Sequence, residues 1–110
     1  MKRATLPGRR PNVTRAAEWN GHAFTVTIGL DPATGAPAEV FADTARGGDM
    51  APTLADACVI VSLALQHGIA PDALAKSLAR VPVLWAEEGV TAPASPVGAI
   101  VDAILAEVRE

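Results

Sequence analysis

The stretch from Asp49 to Gly68 constrains this chain most, because it carries a helix pattern that is apolar on almost every side. Leu54, Cys58, Val61 and Leu65 fall on one face and Ala57, Ile60 and Ala64 on a neighbouring one. Val59 and Leu63 add a third, and Asp56 is the only charge inside. A helix that is hydrophobic all round has to be covered, here by the rest of the chain or by a second copy. At 110 residues the chain is one domain, large enough for a real core but with a thin margin. We therefore expect a homo-oligomer, a homodimer in the simplest case, with an isologous interface hiding what the chain itself leaves bare.

The segment before the helix reads as sheet. Asn12 to Trp19 is weakly strand-like, and Asn20-Gly21 is a hairpin signal, since a type I′ turn needs positive φ at both positions. In the next strand Phe24, Val26, Ile28 and Leu30 share one face, with Thr25, Thr27 and Gly29 on the other. Asp31 to Pro37 is a longer turn, and Glu39 to Asp43 is a third strand with Val40 and Ala42 opposite Phe41. Three strands joined by short turns predict an antiparallel meander.

Ala45 to Asp49 is the crossing loop, with Asp49 as the expected N-cap. Gly68 stands where a left-handed C-cap belongs. A second helix opens at Ile69-Ala70-Pro71-Asp72, carries Leu74, Leu78 and Val81 as its stripe, and ends at Pro82, leaving Lys76 and Arg80 solvated. Residues 82–94 read as a connector bearing Leu84 and Trp85. Ser95-Pro96 starts a last helix with Ser95 as N-cap, and Val97, Ile100, Val101, Ile104, Leu105 and Val108 form its amphipathic stripe. The expected fold class is α+β: a three-stranded antiparallel meander followed by three helices packed on one face. Residues 1–11 form a basic extended arm and residues 12–110 the single domain.

Charge is unevenly placed. Residues 1–15 hold five basic residues and no acid, whereas residues 16–110 hold four basic and twelve acidic ones, which leaves a net charge of −3. The arm reads as a solvated tail; its functional alternative is docking on an acidic partner or on phosphates. Nucleic acid is disfavoured as a partner, because the body is acidic and lacks a basic stripe with interleaved aromatics. No secretory signal is evident, and the apolar run from Ala57 to Leu65 is too short for a membrane span. The single cysteine, Cys58, excludes an intrachain disulfide, reads as inert packing, and fits a reducing cytoplasm.

Few residues suggest chemistry. Arg46, Gly47 and Gly48 before a helix could hold an anion in a backbone nest, but no Lys-Ser/Thr follows as in a P-loop, and a sharp turn from strand to helix is the commoner reason for such glycines. His22 and His67 lack metal-ligand spacing, so no metal is expected. Ser62 and Cys58 lie within the apolar helix, and Ser77 and Ser95 are explained by exposure and capping. Glu87-Glu88 reads as a solvated pair. No catalytic residue is assigned.

The chain resembles the TSCPD domain family, which occurs at the C-terminal end of adenosylcobalamin-dependent ribonucleotide reductases and as short stand-alone proteins. The resemblance rests on Leu6-Pro7-Gly8-Arg9, on Phe24-Thr25-Val26-Thr27, on Glu39-Val40-Phe41, on the Gly-Gly turn, and on the run Ser62-Leu63-Ala64-Leu65-Gln66-His67-Gly68-Ile69. The family's Thr-Ser-Cys-Pro-Asp signature corresponds to Pro93-Ala94-Ser95-Pro96-Val97, where Ser95 stands at the cysteine position, so a thiol or metal role there is lost. The reductase barrel, its cysteines and its cobalamin site have no counterpart in this chain, and no cofactor is expected. The resemblance implies a non-catalytic accessory or binding module with a ribonucleotide reductase or related protein as partner, in deoxyribonucleotide synthesis and hence DNA replication. The alternatives are a separately encoded piece of a reductase and a small anion or nucleotide sensor.

Overall fold

The computed structural model describes residues 11–44 and 48–108. The expected basic arm, apart from Pro11, lies outside the described residues, as do Arg46 and Gly47.

Strands β1 (Asn12–Trp19), β2 (His22–Leu30) and β3 (Pro37–Asp43) form the antiparallel meander in the order β1-β2-β3. Its first turn is the one the sequence demands: Asn20 has φ 51° and Gly21 φ 80°. The register places Val13 opposite Ile28 and Ile28 opposite Val40, so the apolar alternation of all three strands falls on one side. Phe24, Val26, Ile28 and Val40 are buried there. The other side is open, with Thr14 and Thr27 hydroxyls 3.0 Å apart and Phe41 exposed.

Helix α1 (Met50–Gln66) lies along β3, and α3 (Pro96–Val108) lies against β1 and reaches β2 and β3. One core joins the two helices to the sheet: Leu54, Val61, Ile100, Val101 and Ile104 meet Val26, Ile28 and Val40. Helix α1 ends in a Schellman motif. The Ile69 N–H donates to the Ala64 carbonyl at 3.0 Å and the Gly68 N–H to the Leu65 carbonyl at 3.0 Å, with Gly68 at φ 88°. Helix α3 starts as expected, the Ser95 Oγ accepting from the Gly98 N–H at 3.2 Å.

Two expectations need correction in the second half. Helix α2 covers only Pro71–Ser77, and Leu78 is already extended, with ψ 149°. Val81, expected on its stripe, lies instead in strand β4 (Arg80–Pro82), which pairs antiparallel with β5 (Thr91–Pro93) as a second, two-stranded sheet. The expected connector is thus a hairpin: pairing with residues 9 to 13 positions onward outweighs the local helical pattern. Helix α2 packs on α3.

Candidate functional site: the α1–β3 seam and the β4–β5 hairpin

β3 is an edge strand, and an open edge exposes unpaired N–H and C=O groups. Helix α1 closes it with side chains. Ser62 Oγ accepts from the Val40 N–H at 2.9 Å and donates back to the Val40 carbonyl at 3.3 Å. One turn later Gln66 Nε2 donates to the Ala38 carbonyl at 3.0 Å. One turn earlier Cys58 lies against the backbone of Ala42. Four helical residues rise about 6 Å and two strand residues just under 7 Å, so side chains four apart meet backbone groups two apart. The series 58, 62, 66 on the helix runs against 42, 40, 38 on the strand, a side-chain ladder in place of a fourth strand.

The same contacts explain why Cys58 and Ser62 are poor nucleophiles. Burial pushes the Cys58 thiol up to about 11, against a smaller lowering by the Ala42 backbone. Cys58 is buried as expected, and the Ser62 hydroxyl both accepts from and donates to Val40. The ladder was not anticipated from the sequence, where Ser62 and Cys58 stand only as residues within the apolar helix. The available signal was the four-residue spacing of Cys58, Ser62 and Gln66. A groove of about 500 Å³ follows the seam on its outer side, lined by Phe41, Val59, Leu63 and Gln66 among others.

At the N-terminus of α1 the expected anion nest cannot be assembled from described residues, since Arg46 and Gly47 lie outside them. Gly48 takes φ 85°. Asp49 is in a helical conformation and makes no side-chain cap, correcting the expected carboxylate cap. Its carbonyl instead accepts from Thr53 Oγ1 at 3.0 Å.

Arg80, expected to be solvated, braces the hairpin. Its Nε donates to Thr91 Oγ1 at 2.8 Å and its Nη2 to the Thr91 carbonyl at 3.1 Å, while Nη1 reaches Asp102 of α3 at 3.1 Å. Beyond this brace the loop closes on itself. The Val83 N–H donates to Val90, Ala86 to Val83, and Val90 to Glu87. Leu84 and Trp85 occupy the corner of the first turn, 87% and 90% exposed, with Glu87 and Glu88 exposed in the next. A shallow cavity of about 400 Å³ behind the hairpin is walled by Asp72, Lys76, Arg80 and Asp102, two acids and two bases.

The remaining candidates stand apart. His22 stacks on Trp19 at 6.4 Å between ring centres, and His67 is the C-cap of α1. Ser77 Oγ donates to the Ala73 carbonyl within α2. Among the described residues no three His, Cys, Asp or Glu side chains converge on a common point, and no helix is long and apolar enough to cross a membrane.

The TSCPD domain family model matches residues 2–108, essentially the whole chain, and the chain belongs to the TSCPD domain family. No curated protein and no solved structure matches it. At the position of the family's signature, Ser95 does the work of a helix cap, and Pro93 fits against Gly98 so closely that a Cβ there would lie 2.9 Å from the proline Cβ.

Proposed function

We propose that this TSCPD domain is a docking module of the ribonucleotide reductase system, acting in deoxyribonucleotide synthesis in the cytoplasm through contact with a reductase polypeptide and not through chemistry of its own. The observation that carries the reading is family membership over residues 2–108, in a family associated with reductase C-termini. The engagement of its thiol and hydroxyl groups in the fold supports the non-catalytic part: Cys58 with Ala42, Ser62 with Val40, Ser77 with Ala73, Ser95 with Gly98.

The hairpin tip is the contact this reading favours. Exposed aromatic and aliphatic side chains on a pre-formed turn lose little entropy on binding, and tryptophan is enriched among binding hot spots. Glu87 and Glu88 beside Leu84 and Trp85 call for an apolar pocket with a basic rim. Affinity purification of the tagged chain from its own host tests the proposal. The expected result is recovery of a reductase polypeptide, lost when Leu84 and Trp85 are both changed to Ser. Failure to recover any reductase polypeptide after chemical cross-linking in the cell contradicts it.

A further inference from the structure

We infer that the outward face of α1 is a self-association surface whose occupant is the α1 of a second copy of this chain, packed antiparallel across a two-fold axis. The inference stands apart from any reductase partner. Asp56, Val59, Ile60, Leu63 and His67 follow one another at helical spacing on the side of α1 turned away from the core residues Leu54, Ala57, Val61 and Leu65. Val59 is 58% and Ile60 68% exposed. Phe41, exposed on β3, borders the same strip across the seam groove.

Two features identify the occupant. First, a partner strand is excluded along this edge, because Ser62 and Gln66 already take the Val40 N–H and carbonyl and the Ala38 carbonyl. The face is one ridge of a helix and accepts another helix. Second, the polar groups are self-complementary. The strip carries one acid, Asp56, toward its N-terminal end and one histidine, His67, at its C-terminal end, with apolar residues between. A two-fold axis crossing α1 at right angles near Val61-Ser62 sets Asp56 of each copy opposite His67 of the other, a carboxylate facing an imidazole. It also sets Ile60 of each copy opposite Leu63 of the other, with Val59 one position beyond, and runs the helix macrodipoles antiparallel. A parallel pairing would instead bring Asp56 onto Asp56. The strip is about 16 Å long and smaller than the roughly 800 Å² per partner of a standard interface, so the dimer is expected to dissociate on dilution in the micromolar range.

Two measurements on the full chain test this. Light scattering from 5 to 500 µM is expected to show the mass rising from one chain toward two. Val59→Asp/Ile60→Asp should hold the protein monomeric with an unchanged circular dichroism spectrum, since both side chains are already exposed in the single chain. In a Cys58→Ser background, Asp56→Cys with His67→Cys should give covalent dimers on mild oxidation. The two positions lie about 16 Å apart along one helix and cannot join within it. A wild type that stays monomeric at 500 µM overturns the inference, as does a dimer that survives the Val59/Ile60 change or dissociates on loss of Trp85. A dimer without 56-to-67 cross-links overturns the antiparallel register.

Discussion

Helices α1 and α3 pack on the same face of one sheet, yet they are finished in different ways. The outer side of α3 is covered or charged: α2 lies on it and Asp102 pairs with Arg80 of the hairpin, while toward the sheet its C-terminal turn is tied down by Glu107, which receives Arg15 of β1 at 2.9 Å. The outer side of α1 carries Val59 and Ile60 into solvent, between Asp56 and His67. On the inner side the roles reverse. There the buried side chains of α3 are aliphatic, whereas α1 brings Cys58, Ser62 and Gln66 to close the sheet edge. The lesson is that an apolar helix can serve two surfaces at once. One is satisfied within the chain by hydrogen bonds, and the other faces solvent.

Substitutions separate these surfaces by size of effect. Ile104→Ala, in a fully buried position of α3, should cost about 3 kcal/mol in urea unfolding. Ile60→Ala in α1 should cost less than about 0.5 kcal/mol at concentrations where the chain is monomeric. Equal losses would erase the distinction. Ser62→Ala should cost about 1–3 kcal/mol, because it leaves the Val40 N–H and carbonyl without their partner. Faster hydrogen exchange at the Val40 amide is the accompanying signature, and unchanged exchange would show that the ladder adds nothing.

How far the sequence carried this picture depends on whether the deciding contact is local. Alternation in β2, Asn20-Gly21, Gly68 and Ser95-Pro96 are each decided within a few residues, and all four read correctly. The end of α2 is decided elsewhere. Leu78 to Val81 continues a helical stripe, but Arg80 finds Thr91 and Asp102, groups 11 and 22 residues away. The roles of Ser62 and Gln66 were hidden for the same reason, since their spacing has meaning only once β3 is known to be the edge. Asp49 had the right residue type for a cap, but a helical backbone at that position turned its carboxylate away from the role.

Smaller effects refine the contrast. Arg80→Ala should cost only about 0.5–1 kcal/mol, as expected of a pair at the surface. Its clearer readout is faster amide exchange at Val83 and Val90, and unchanged rates there would remove the brace from the account. Cys58 should resist alkylation at pH 8 in the folded chain and react readily in urea. Because its folded thiol titrates near 11 and the ordinary value is 9.0, the unfolded chain ionises first. Stability from this group is therefore full below pH 9 and falls as pH rises toward 11. A stability curve flat across that interval would contradict the burial argument.

The most direct test of the two-surface account is the concentration dependence of amide and methyl chemical shifts, recorded from 10 to 500 µM. The account predicts shifts that move with concentration at Phe41, Val59, Ile60 and Leu63 and stay fixed at Ile100, Ile104, Leu84 and Trp85. Shifts that are constant along α1, or that move at the hairpin tip instead, would contradict it.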